Sequence, residues 1–288
     1  MTKPRQARQG GNGPRTYAWP PLPPHEFEVV SVTSAIGGGL PKPFLAPWSA
    51  KMVAEYAVEN QDAWTKLPKA DAVDLLKRAP YRFTNAAADR GTIVHGALEA
   101  YIAGKPLSKA TVEEQLHEAR VPRNLWRGTA AMISGLMEFL FDYEPEVLWS
   151  EATVYSRQHG YAGTADLICR MPIGGSVVPA VVDVKTSKRI YDEVALQLAA
   201  YARADFVGLD DGTEVPLIGI DVTSFGDPEP KYLDGLPPID YGVVVRPTPS
   251  GKYEKATFTL TDDVFDLFLA CLAVTTGKEA LAGARRPS

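Results

Sequence analysis

The octapeptide VVDVKTSK, Val181 to Lys188, sets Asp183 and Lys185 two residues apart in a run of valines. Such a run reads as buried strand, and in a strand positions i and i+2 leave the same face. A carboxylate and an ammonium therefore emerge together from a segment that is otherwise core. A second carboxylate, Asp166, closes the run GYAGTAD, where two glycines relieve the backbone just ahead of it. Burying charges of this kind costs on the order of several kcal/mol each unless they are paired or hold a metal. A divalent cation resolves the repulsion, and hard oxygen ligands suit Mg²⁺ or Mn²⁺. Taken alone, the Asp-x-Lys triplet is also what a salt bridge at the end of a sheet looks like.

Three further groups stand at chemically suggestive spacings. His95 lies in RGTIVHGALEAY with Glu99 one helical turn on, a pair that also fits an ordinary i,i+4 surface contact. The two-histidine zincin pattern is absent. Gln197 and Tyr201 occupy i and i+4 of QLAAY, hence one face of a helix. Glu151, on the strand VLWSEATVYS, either faces the same site or lies on a solvent-facing edge.

The elements that must carry these residues follow from periodicity. A short strand from Phe27 breaks at glycines, and APWSAKMVAEYAVENQDAW reads as a helix with Ser49 as N-cap. Further helices run through KADAVDLLKRAPYRF, interrupted at Pro80, through the His95 segment to Gly104 and Pro106, and through TVEEQLHEAR and NLWRGTAAMISGLMEFLFDYEP. From Val147 the period changes to that of strands. Three succeed one another, then the amphipathic helix YDEVALQLAAYARADFVG, then more strands with a hairpin at PSGK. A last helix is N-capped by Thr261. The expected fold class is α/β or α+β: residues 26–288 form one domain, with a helical elaboration over about 45–145. The core spans about 88–245 and a C-terminal helix about 261–282.

Composition sets the outer bounds. The 288 residues are 45% hydrophobic and 23% charged, with a net charge of −5, ordinary for a globular protein and compatible with a local basic groove. The two cysteines, Cys169 and Cys271, have no ligand-like spacing, which argues against a disulfide framework, a structural zinc site or an iron–sulfur cluster. That usage suits a reducing cytoplasm. No transmembrane run or signal peptide is evident. Residues 1–25, rich in Gly and Pro and basic at Lys3, Arg5, Arg8 and Arg15, read as a disordered basic arm.

In order, RGTIVHGALE, GTAD, DVKTSK and QLAAY resemble the RecB-like exonucleases of the PD-(D/E)xK nuclease superfamily, phage and CRISPR-associated members included. The resemblance covers Arg90 to about Asp205. It implies a restriction-endonuclease-like core, a mixed sheet flanked by helices, in an enzyme that hydrolyses DNA with Mg²⁺ or Mn²⁺, one ion or two. His95, Asp166 and Asp183 match the family's metal ligands, with the main-chain carbonyl of Val184 as another. Lys185 matches the lysine that positions the attacking water. Gln197 and Tyr201 match the motif that orients Lys185 and the nucleic-acid backbone. A histidine ligand leads us to expect that Mn²⁺ supports activity at least as well as Mg²⁺. Two cysteines are too few for the four-cysteine iron–sulfur cluster of some relatives, and Ala165 replaces the proline of the familiar dipeptide.

Basic residues that fit a phosphate track are Arg90 with Arg78 and Arg82, and Lys188 with Arg189; Arg120, Arg123 and Arg127 form another group. Each is equally well a solvated face. The expectation is a phage or bacterial exonuclease of recombination, repair or replication. DNA is its partner, with room for a homo-oligomer and for a recombination partner such as a single-strand annealing protein. The alternatives are a non-catalytic nucleic-acid-binding or assembly subunit on a nuclease fold, and a metal hydrolase of another substrate.

Overall fold

The computed structural model describes residues 7–9, 14–21, 25–221, 232–233 and 235–277. Strands β1 (Ala7–Gln9), β2 (Arg15–Trp19) and β3 (Phe27–Ser31) come first, then α1 (Val32–Gly39), α2 (Leu45–Glu59), α3 (Gln61–Trp64) and α4 (Lys69–Lys77). Helices α5 (Ala79–Ile102), α6 (Lys109–Glu118) and α7 (Arg123–Tyr143) lead to β4 (Glu146–Ser156), β5 (Tyr161–Ile173) and β6 (Ser176–Val184). After α8 (Val194–Ala202) come β7 (Phe206–Gly208), β8 (Glu214–Pro216) and a separate short pair, β9 (Ile220–Asp221) with β10 (Tyr232–Leu233). The hairpin β11 (Tyr241–Pro247) and β12 (Tyr253–Thr259) precedes α9 (Asp262–Thr276).

All the described strands except β9 and β10 belong to one mixed sheet with β5 as its hub. One side of β5 pairs with β4, which leads on through antiparallel neighbours to β7 and β8. The other side is shared. β3 pairs in parallel with Tyr161 and Ala162, while β6 pairs antiparallel from Leu167 onward. Between these contacts, Gly163–Asp166 have no strand beside them on that edge among the described residues, so the sheet forks there. β6 pairs in parallel with β11, which requires a crossover, and α8 lies within it.

Helices cover both faces. α1, α8 and α9 pack on one side through Val32, Ile36, Leu198, Phe268 and Leu272. α5, α6 and α7 pack on the other through Val94, Leu98, Leu116, Leu136 and Phe139. The expected mixed sheet between helical layers is thus present. No described helix is long and apolar enough to cross a membrane.

Three boundaries differ from the sequence reading. Ser49 lies inside α2, which begins at Leu45. Pro80 occupies the first turn of α5, where its missing N–H leaves no intrahelical bond unmade. The larger correction concerns the N-terminal arm, expected to be disordered over 1–25. Its residues 15–19 are a strand with Tyr17, Ala18 and Trp19 buried. Trp19 packs on Tyr155 and Phe206, and its indole N–H donates to Glu214 at 2.7 Å. Residues 1–6, 10–13 and 22–24 of that arm, and 278–282 of the expected last helix, lie outside the described residues.

Because Trp19 is 1% exposed, Trp19→Ala should lower the free energy of unfolding by about 3–5 kcal/mol, read by urea denaturation. An unchanged midpoint would return this segment to the status of a solvated tail.

Candidate active site

The fork in the sheet is where the chemically suggestive residues meet. A cavity of about 160 Å³ opens there, walled by Gly163, Thr164 and Asp166 of β5, Asp183 and Lys185 at the end of β6, and Gln197 and Tyr201 of α8. Ser31, Val32 and Thr33 close it from the start of α1, Glu151 enters from β4, and Arg15 and Tyr17 from β2. Gly163 is required for this closure: a Cβ there would stand 2.5 Å from Tyr201 Cε1.

Asp166 and Glu151 reach one another because two neighbouring strands lose their alternation at the same level. In β5, Tyr161 and Ala165 pack with the α8 layer, but Leu167, Cys169 and Met171 pack with the α5–α7 layer. The face therefore changes at Asp166. In β4, Trp149 packs toward the α8 layer and so do Ala152 and Val154, a step of three that falls on Glu151. Glu151 adopts φ +50, a left-handed conformation that costs a non-glycine residue about 1–3 kcal/mol. Its flanking pairs, Ser150–Leu167 and Ala152–Ala165, set it across from Asp166. His95 projects from α5 to the same point, its Nδ1 lying 3.4 Å from Asp166 Oδ1. His95, Glu151 and Asp166 each offer a ligand atom, all within 4.8 Å of one another.

Asp183 stands beside this trio in a second set of contacts. Its Oδ1 accepts from Lys185 Nζ at 2.9 Å and from Gln197 Nε2 at 2.8 Å. Gln197 also donates to the Tyr201 hydroxyl at 3.2 Å, and Lys185 Nζ lies 3.4 Å from Gln197 Oε1. The two sets are joined by backbone: the Val184 N–H donates to Asp166 Oδ2 at 2.7 Å.

Burial and mutual repulsion govern the protonation of this cluster. Burial raises the Glu151 carboxyl to about 7, and Asp166 adds to the rise. Burial likewise raises Asp183, against the opposing pull of Lys185. Burial would lower His95, but the carboxylates of Asp166, Asp183 and Glu151 outweigh it and lift the imidazole to about 9. Burial also works against the Lys185 ammonium, and Asp183 and Asp166 more than compensate, so it is held charged. Three buried polar atoms, His95 Nδ1, Glu151 Oε1 and Asp183 Oδ2, have no hydrogen-bond partner. Each unsatisfied group costs about 1–3 kcal/mol. The mixed nitrogen and oxygen donor set of His95, Glu151 and Asp166 could hold a metal ion.

Of the residues singled out in the sequence, Asp166, Asp183, Lys185, Gln197 and Tyr201 share the cavity, and His95 contacts it through Asp166. Val184 contributes its N–H. Tyr201 is 3% exposed, so its ring supports Gln197 and Gly163 and offers little surface to a polymer. Arg90 is half-buried between α5 and α7, donating to Met132 Sδ at 3.2 Å, whereas Lys188 and Arg189 are exposed, the latter stacked on Tyr191. Sequence reasoning left Glu151 open and missed Arg15 and Ser31. The signal for Glu151 was the three-residue step from Trp149 to Ala152 in an otherwise alternating strand.

No family model matches the chain, and no curated protein matches it. A solved structure described as the crystal structure of SSO0001 aligns over 65% of this chain and 84% of its own. The identity is 12% and the TM-score 0.28.

The protonation pattern fixes a pH dependence for the metal-free protein. The raised Glu151 and Asp183 carboxyls bind protons more tightly folded than unfolded. Stability therefore falls as pH rises, for Glu151 from its unfolded value near 4.5 through about 7. The raised His95 contributes stability below 6.5 that is lost through about 9. All three act in one direction, so the melting temperature in EDTA should decline between pH 5 and 9; a rise would contradict this charge arrangement. Glu151→Gln should weaken Mn²⁺ binding by at least about tenfold in calorimetry, and unchanged affinity would remove Glu151 from the ligand set.

Proposed function

We propose that the protein is a divalent-metal-dependent nuclease that hydrolyses phosphodiester bonds of DNA. Its core is of the restriction-endonuclease type, and it acts as an exonuclease in phage or bacterial recombination, repair or replication. The observation that carries this reading is the meeting of Asp166, Asp183 and Lys185 in one cavity at the sheet fork. His95, Asp166 and Glu151 would hold the cation, with Asp183 Oδ2 next to them. The chemistry supplied by a bound cation is charge neutralisation and Lewis-acid polarisation of phosphoryl oxygen.

The chain's own residues account for the remaining requirements. Hydrolysis adds water at phosphorus and breaks one P–O ester bond, with the proton lost by water balanced by the one gained on the leaving oxygen. Lys185, kept charged and fixed by Asp183 and Gln197, supplies N–H donors that orient water and offset negative charge gathering on the phosphate. Arg15, whose guanidinium lies over the Tyr17 ring at 5.1 Å, brings a second positive charge to the cavity. Tyr201 and Gln197 hold Lys185 through the bonds described above, so their role is positional.

End-labelled linear DNA, single- and double-stranded, should be degraded in Mn²⁺ and in Mg²⁺ and left intact in EDTA. Asp183→Asn and Lys185→Ala should each slow cleavage by about 10²–10⁴-fold with the fold retained by circular dichroism. Wild-type rates from either folded variant would sink this site assignment. DNA binding without any cleavage would point instead to a non-catalytic subunit.

A further inference from the structure

The three consecutive glycines that end α1 differ in their reasons for being glycine. A Cβ on Gly38 would lie 2.3 Å from Thr275 Oγ1, and one on Gly39 would lie 2.3 Å from Cys271 Cα. Both are required by the close approach of α1 to α9. A Cβ on Gly37 would meet nothing within 4 Å. Glycine is, after proline, the least favourable residue in a helix interior, so Gly37 has no packing reason to be there.

What Gly37 borders is a second pocket, of about 300 Å³, a volume at the lower end of the range for small organic ligands. Ile36, Ile190, Val194 and Val244 give it apolar walls, and Tyr191 adds an aromatic ring. It adjoins the catalytic cavity, with Thr33, Lys185 and Gln197 lining both. A flat group with apolar faces, attached within a nucleotide's reach of a phosphate at Lys185, describes a nucleobase. Gly37 is exposed at the border of that space, and a Cβ there meets nothing within 4 Å.

We propose that this pocket receives the base of the nucleotide whose phosphate lies at Lys185, drawn out of its stack; this rests on the nuclease reading above. The substrate class is then DNA that is unpaired at the scissile nucleotide, a single strand or a frayed end, where extracting a base costs least. The apolar walls meet the faces of any base, while Lys42, Ser187 and Glu193, which also line the pocket, offer polar groups to its edges.

Two measurements on the full chain test it. In EDTA, calorimetric titration should show deoxyadenosine binding at least tenfold more tightly than deoxyribose. Gly37→Leu, whose Cβ would meet nothing within 4 Å at the pocket's border, should bring that ratio toward one, with Gly37→Ala between. Equal affinities in the wild type, or an undiminished ratio in the leucine variant, would overturn the pocket. In Mn²⁺, a single-stranded oligonucleotide with one abasic residue should be cut beside that residue at least tenfold more slowly than at intact neighbours. Cleavage indifferent to the missing base would sink the pocket alone. Base-dependent binding without cleavage of any substrate would support the pocket and sink the nuclease reading.

Discussion

Bringing the carboxylates of Glu151, Asp166 and Asp183 to one buried place demands compensation, and the compensating groups come from the end of β6, from α5 and from α8. Lys185 neutralises Asp183 from the end of the same strand. Val184 satisfies one oxygen of Asp166 through its backbone, and His95 approaches the other from the helical layer behind. Gln197 reaches Asp183 from the opposite layer. The unpaired edge of β5 at Gly163–Asp166 leaves room for the side chains that converge there from β6 and from both helical layers. The fork between β3 and β6 is thus the architectural price of the charge cluster, and α1, α5 and α8 are positioned around that opening.

The compensation is incomplete in a definite way. Three buried donor or acceptor atoms stay unsatisfied, and Glu151 is held in a backbone conformation that non-glycine residues avoid. Three of the six unsatisfied buried side-chain atoms among the described residues meet here beside the left-handed Glu151, and a cluster of that kind fits a site for a charged ligand. Elsewhere the described core is conventional, with valines and leucines alternating into two helical layers.

Much of this was legible in the sequence because it is local. The valines of VVDVKTSK mark a strand whose period of two delivers Asp183 and Lys185 to one side, and the period of the next helix sets Gln197 above Tyr201. Periodicity and spacing alone did not set His95 beside Asp166, since α5 and β5 are far apart in sequence; only the family resemblance implied that meeting. Glu151 was left open because its direction turns on the slip in alternation between Trp149 and Ala152, which signals an irregularity without saying which face the carboxylate takes. The segment Arg15–Trp19 was hidden more completely. Five residues among glycines and prolines carry no periodic signal, and only the distant Tyr155, Phe206 and Glu214 make them a strand. The mixed α/β class rests on longer patterns and is matched by the described elements.

The walls of the cavity are drawn from Arg15 at one extreme and Tyr201 at the other. Contacts between residues so distant in sequence form late and slowly, because the entropy of closing long loops is lost before they stabilise anything. A chain still emerging from the ribosome therefore carries its acidic and basic groups scattered, each hydrated and chemically ordinary. The charge cluster exists only when both edges of β5 have been claimed, which ties its assembly to completion of the whole sheet.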